Sequence, residues 1–461
     1  MLVPTYLPHL SVYDPAESAE GSLDPLGLAL LAGRLADKLV PGFTERSRRP
    51  RFLTVLAVGS RVLSRPEYPD GVHGDHKDGP ANIAFERLVN EAFAHRGTRG
   101  EAGLLGIPGI GKAREATAAD ARLSSTLYLK APGAVGLWVA YKRLARDLEI
   151  LDDDGHLLEN GAALLDAWEE GIGKKGLLTG TGSETEAFLR EMDSALEPLL
   201  GDADSRWKPQ RVWAFIYTNL RPETITGAER TLLRDLVLER NPTRREVFLG
   251  VREELRRNSE LIDAPAATRA ALLALRGRVG DALGQLIDTI LAYEDVVVLL
   301  RRAFLSILCA GGRRADGRVD ADIVLADHGI AQAFRGAMVA LPGAVERATA
   351  FLENNGEGEL AHDTLEWLRD GALRSPAEFF EALIVRHIAT QRRKPPDGRR
   401  PWIEGETGFR FVRTRYIEEE PPQDETVFHP YRMSPVKSFI EDLWAMQNRS
   451  ETEGSDRSGR T

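Results

Sequence analysis

The sequence predicts a mainly α protein: a multi-domain helical chain with a winged-helix-like module and a small C-terminal β element. Three observations carry that expectation. Residues 183–390 show helical apolar spacing almost throughout. Residues 122–168 run as helix, short strand, Asp-Gly turn, short strand, helix, which is the outline of the last half of a winged helix-turn-helix. Residues 392–417 switch to a short-strand pattern with Phe409, Phe411, Val412, Tyr416 and Ile417. At roughly 150 residues per domain, 461 residues suggest about three domains.

Taken in order, Asp24 is placed to cap a helix with Pro25 at its first position, and Leu28, Leu31, Leu35 and Leu39 form its apolar stripe. Pro41-Gly42 ends it. An apolar segment follows over 52–63, and the Pro/Gly-rich stretch 64–80 reads as a loop. Helical spacing returns over 83–95 through Phe85, Leu88, Val89 and Phe93, and 97–112 is a glycine-rich loop. These residues make an N-terminal helical domain, 1–120. The winged-helix-like module spans 121–170. Glycine dominates 171–182, which reads as a linker.

A helical domain over 183–391 follows, with its clearest helices at 184–196, 227–238, 244–256, 280–309, 330–351, 360–368 and 376–391. Pro242, Pro265, Pro342 and Pro376 punctuate them. Residues 392–447 are a basic strand-containing segment with a last helix at 434–446, and 448–461 is a polar tail expected to be disordered.

Composition narrows the function classes. Apolar residues make up 43% and charged residues 28%, the balance of an ordinary globular chain. The formal net charge of −10 argues against a surface coated in basic charge, and leaves a local basic patch open. The single cysteine, Cys309, excludes an internal disulfide framework, and its apolar setting reads as a small buried hydrophobe. The stretch 286–310 is the most apolar, yet it carries Asp288, Glu294, Asp295, Arg301 and Arg302, which argues against a membrane-spanning helix. The first residues lack the pattern of a secretory signal, so a cytoplasmic location is expected.

Several clusters have the residue types of a functional site, each with a plainer reading. Gly106-Ile107-Pro108-Gly109-Ile110-Gly111-Lys112-Ala113 has the spacing of a phosphate-binding loop, in which Lys112 would reach the phosphates. Ala113 replaces the magnesium-binding Ser/Thr and no buried strand precedes it, so a flexible loop is expected instead. His73, Asp75, His76 and Asp78 crowd one Pro/Gly-rich loop and could ligate a divalent metal; solvated loop residues are the alternative. Asp327-His328 resembles a phosphohydrolase dyad but reads better as a helix cap. Asp316, Asp320 and Asp322 read as a polar turn. The carboxylates of Asp152, Asp153 and Asp154 read as a solvated turn. No nucleophile elbow is present. No residue is assigned a catalytic role, and no cofactor or metal is expected.

Basic regions are the better candidates. One comprises Arg46, Arg48, Arg49, Arg51 and Arg61. The other, over 391–415, sets Arg392, Arg393, Lys394, Arg399, Arg400, Arg410, Arg413 and Arg415 against Asp397, Glu404 and Glu406, a net +5 with Trp402, Phe409, Phe411 and Tyr416 interleaved. Cations for phosphate and aromatics for bases are what nucleic-acid surfaces need, so Arg392, Arg393, Lys394, Arg399, Arg400 and Trp402 are the leading contact candidates. Arg143 and Arg146, on the candidate recognition helix, are second, although the three aspartates at the wing tip would repel phosphate.

Short motifs in the N-terminal third add a family resemblance. Leu35-Ala36-Asp37, Pro41-Gly42, Arg49-Pro50-Arg51-Phe52, Ser125-Thr126-Leu127-Tyr128 and Gly136-Leu137 together resemble an uncharacterised bacterial family encoded in phage-defence islands; Pro50 departs from that family's pattern. The resemblance implies a cytoplasmic component of a multi-gene antiviral system, with a methyltransferase as a candidate further member and other proteins of the defence operon as partners; the basic clusters make DNA a candidate ligand, and the charges within 286–310 leave no membrane partner expected. The leading expectation is therefore a non-enzymatic defence subunit that contacts DNA or partner subunits. The alternatives are an enzyme of the same system, using Lys112 on a nucleotide or His73, Asp75 and His76 on a metal, and a transcriptional regulator.

Overall fold

Helices dominate the chain, and most of their ends fall where the sequence supplies a cap or a breaker. The computed structural model describes residues 24–68, 70–76, 79–98, 107–130, 132–201, 207–257, 265–368, 373–394, 397–416, 418 and 429–445. In chain order the helices are α1 (Ala29–Leu39), α2 (Arg51–Leu63), α3 (Ala81–Arg96), α4 (Ile110–Ala118), α5 (Pro132–Val135), α6 (Leu137–Asp147), α7 (Glu159–Gly171), α8 (Ser183–Leu200), α9 (Gln210–Leu220), α10 (Gly227–Glu239), α11 (Pro242–Arg257), α12 (Pro265–Arg276), α13 (Asp281–Gly312), α14 (Ala321–Ala326), α15 (His328–Asn354), α16 (Gly358–Leu365), α17 (Pro376–Arg393) and α18 (Met433–Leu443). The strands are β1 (Asp75–His76), β2 (Gly79–Pro80), β3 (Arg318–Val319), β4 (Ile403–Glu406) and β5 (Phe409–Val412). Among the described residues no helix is long and apolar enough to cross a membrane. The polar tail expected at 448–461 lies outside the described residues.

The chain divides into two units, Met1–Leu39 with Glu260–Tyr431, and Val40–Ser259 with Arg432–Thr461. These bounds differ from those the sequence suggested. The helical stretch 183–391 is shared between the units, and the glycine-rich segment 171–182 lies inside the second. There the buried Glu169 carboxylate accepts the backbone N–H of Gly176 (2.7 Å), Leu178 (2.5 Å) and Thr179 (3.1 Å) and the Thr179 hydroxyl (2.8 Å). A carboxylate holding four donors fixes that loop in place, so its glycines do not make a flexible tether.

In the first unit α13 packs most extensively on α15, and α1 and α12 also pack on α13. α13 has 32 residues, about 48 Å of helix. Its buried residues include Ile287, Ile290, Val297, Leu300, Phe304 and Ile307, which recur at helical spacing. The Tyr293 hydroxyl donates to the Leu28 carbonyl (2.7 Å), and the Tyr431 hydroxyl to the buried Glu294 carboxylate (2.6 Å). Asp24 accepts the N–H groups of Leu28 (2.9 Å) and Ala29 (2.8 Å), so it caps α1 as expected, although the helix proper begins four residues beyond Pro25. Asp327 caps α15 through the Ile330 N–H (3.1 Å), the plainer of the two roles open to it. Pro342 lies within α15, inside the helix expected over 330–351. A three-stranded antiparallel sheet in the order β3-β5-β4 completes this unit, with Arg318 opposite Phe411 and Ile403 opposite Val412. β3 occupies part of what reads in sequence as a polar turn. Cys309 is buried near the end of α13.

In the second unit α2 is buried on nearly every side. The Arg51 guanidinium, fully enclosed, meets the equally enclosed Glu229 carboxylate at 2.6 Å, and the Thr54 hydroxyl donates to the same group (2.5 Å). Glu229 also closes the capping box that starts α10 with Thr226. The fully buried Glu86 carboxylate on α3 accepts the N–H groups of Leu137 (2.7 Å) and Trp138 (3.0 Å) at the start of α6 and the Tyr128 hydroxyl. Those first-turn donors have no partner inside their own helix, so a carboxylate from another helix supplies the cap. Phe43 packs against Phe248 and Phe439, tying α11 and α18 to the chain after α1.

Candidate functional site

The basic C-terminal candidates gather at the carboxyl end of α17. The backbone N–H groups of Lys394 (3.2 Å) and Arg399 (2.8 Å) both donate to the Gln391 carbonyl, folding the chain back on the helix end. Arg392, Arg393, Arg399 and Arg400 therefore share one region of the first unit. Arg392, Arg393, Arg400 and Arg415 are exposed. Arg400 pairs with Glu404 (2.8 Å). Arg399 is half-buried, and its Nε and Nη1 are enclosed without a hydrogen-bond partner among the described residues.

Two members of the expected contact set are committed to the fold instead. Trp402 is 8% exposed; its ring stacks on Tyr416 at 4.5 Å between centroids and packs on His387 and Phe304. It has no face left for a base. The Lys394 ammonium donates to the Asp24 carbonyl (2.8 Å), and burial lowers its pKa to about 8. Arg410 and Arg413 are likewise buried, facing Glu381 (2.7 Å) and Glu404 (3.7 Å). The exposed aromatic of the sheet is Phe409, 56% exposed at the start of β5.

Beneath this surface sits a residue that sequence reasoning missed. His387, fully buried on α17, accepts the Trp402 backbone N–H at Nε2 (2.9 Å), while its Nδ1 lies 2.9 Å from the Pro25 carbonyl. The carbonyl can only accept, so Nδ1 carries the proton and the ring is neutral. Burial lowers its pKa to about 4. A lone histidine in a helix has no sequence signal for such a bridge.

Lys112 lies in the first turn of α4, exposed, with its ammonium 2.7 Å from Glu115 on the same helix. Residues 101–106 lie outside the described residues, Gly106 among them. Gly109 has φ 85°, and a Cβ there would lie 2.0 Å from the Tyr128 ring. That glycine is explained by the ring packed against it.

The stretch 121–170, expected to form a winged-helix-like module, contains α6, a minimal hairpin and α7. The two expected strands reduce to one antiparallel bridge, Leu151 with Leu157, flanked by hydrogen bonds from Asp152 N–H to the His156 carbonyl (2.9 Å) and Leu158 N–H to the Ile150 carbonyl (3.0 Å). Arg143 is exposed on α6, and Arg146 pairs with Asp153 at 2.6 Å, which neutralises part of the acidic tip.

Within the second unit the 70–76 loop meets that tip. The His73 ring packs edge-on against Trp138 (5.8 Å), and its Nε2 would lie 3.3 Å from a Cβ placed on Gly155. The side-chain ligand atoms of Asp152, Asp154 and His156 all lie within 4.8 Å of one another. The sequence presents these aspartates as solvated, and the three groups come together locally, on one turn; His73 reaches that turn at Gly155. Asp75 and His76 form β1 in the backbone, and their side chains, with Asp78, lie outside the described residues.

No family model, curated protein or solved structure matches this chain.

Proposed function

We propose that this chain is a component of a bacterial antiviral system that works by holding DNA, with the arginines at the carboxyl end of α17 contacting the phosphate backbone. The observation that carries this reading is the exposure of Arg392 and Arg393 beside Arg400, brought together by the return of the chain to Gln391. Guanidinium groups suit phosphate through their planar fork of donors. The N-terminal motifs that resemble a phage-defence family supply the antiviral setting, and partner proteins of the same operon belong to the same reading. Arg143, exposed on α6, supports a second contact through 121–170 read as a winged-helix-like module.

Fluorescence anisotropy with a labelled DNA duplex tests the assignment. Arg392→Glu with Arg393→Glu should weaken binding at least tenfold while Arg143→Glu weakens it less. Equal binding by wild type and the double variant would remove α17 from the interface.

A further inference from the structure

We propose that the pocket between α8 and the start of α9 binds a nucleotide, with the base stacked on Trp207 and the phosphate held by Arg190 and Arg211. The pocket lies in the second unit and uses none of the arginines at the end of α17. It is independent of the DNA-contact reading.

The pocket has two walls. Arg190, Glu191 and Ser194 lie on one face of α8, and Trp207, Lys208 and the first turn of α9 form the other side. Its volume is about 480 Å³, within the range of small-molecule sites. One buried guanidinium pins both walls. Arg122, 4% exposed and paired with Glu91 at 2.8 Å, donates to the Ala195 carbonyl of α8 (3.1 Å) and to the Trp207 carbonyl (3.3 Å). The shape is therefore set before a ligand arrives, which removes part of the ordering cost of binding.

The lining selects the ligand. Trp207 is 51% exposed, and an indole kept at the mouth of a pocket is a platform on which a flat ring stacks. Among the described residues no ion pair or hydrogen bond engages the Arg190 guanidinium, which lines the same pocket. Arg211 meets Glu191 across 3.4 Å in a solvent-exposed pair, weak enough for a phosphate to displace. Lys208 is already paired with Asp120 and adds little. Arg96 donates to the carbonyl (3.2 Å) and side-chain oxygen (3.3 Å) of Gln210, so a further cation stands beside the pocket. Glu191 is the one carboxylate among the described lining residues, which disfavours a cationic ligand. Planar guanidinium forks fit phosphate oxygens, and the indole face fits the base, so ring and anion are recognised together.

The test titrates the full chain with AMP by calorimetry. Adenosine and inorganic phosphate serve as partial ligands, oligodeoxyadenylate as the strand form, and circular dichroism confirms that each variant folds. Wild type should bind AMP saturably, and more tightly than either adenosine or phosphate. Trp207→Ala and Arg190→Ala should each weaken AMP binding about tenfold or more, while Trp207→Phe keeps most of the affinity. Oligodeoxyadenylate that binds more tightly than AMP, with the same loss in both alanine variants, assigns the pocket to one unit of a strand; weaker binding assigns it to the free nucleotide. No saturable binding of AMP at millimolar concentration, phosphate that binds as tightly as AMP, or unchanged affinity in both alanine variants overturns the proposal.

Discussion

His387 Nε2 accepts the backbone N–H of Trp402 across 2.9 Å, and that bond fixes the protonation state of a buried ring. Protonation would place a second N–H on Nε2, facing a donor. The folded pKa, about 4, lies below the ordinary 6.5. Between those values the unfolded chain binds more protons than the folded one, so stability is fully present above about pH 6.5 and is lost as pH falls towards 4. The contribution at stake is about 3 kcal/mol. Urea denaturation between pH 4 and 7 should show this loss, and His387→Gln should flatten the profile. A variant with the slope of wild type would contradict the role given to the ring.

Arg51 and Glu229 form an ion pair closed to solvent. Arg51→Ala should destabilise the protein by about 3–5 kcal/mol, because it leaves a buried carboxylate without its counter-charge. Replacing both partners with apolar residues, Arg51→Met with Glu229→Leu, should recover most of that loss. Denaturation midpoints decide it; a double variant no better than the single one would argue against the charge explanation.

Tyr128 donates to Glu86, which in turn holds the first N–H groups of α6. Tyr128→Phe removes one donor from a buried carboxylate and should cost about 1–3 kcal/mol. Chemical denaturation of the variant measures it, and a change under a few tenths of a kcal/mol, below the roughly 0.5 kcal/mol of a weak net hydrogen bond, would show the interaction to be energetically idle.

Glu169 anchors the loop that carries Lys174 and Lys175. Glu169→Ala should speed trypsin cleavage after those lysines, since local opening controls access. Mass spectrometry of timed digests reads the cut. Unchanged cleavage would mean that the glycine-rich loop is held by something else.

These relationships mark where sequence reasoning stops. The long helices α13, α15 and α17 are legible because their buried positions recur at helical spacing and their starts carry Gly280, Asp327 and Ser375. α15 continues through Pro342, as the apolar spacing over 330–351 requires. β3 is hidden: a two-residue strand exists only through its pairing with β5, which lies about 90 residues away. The division into units escapes local reading for the same reason, since α1 belongs with helices beyond residue 260. In the candidate sites, the sequence marks Arg392, Arg393 and His73. It cannot reveal that Trp402 is spent on Tyr416, or that the His73 ring packs on Trp138.

The salt dependence of DNA affinity tests the central reading most directly. Removing one cation that neutralises a phosphate of the duplex should lower the slope of log K against log salt by about 0.9. Arg392→Ala with Arg393→Ala should therefore reduce the wild-type slope by about 1.8. A wild-type protein that shows no salt-sensitive DNA binding, or a double variant with an unchanged slope, would contradict it.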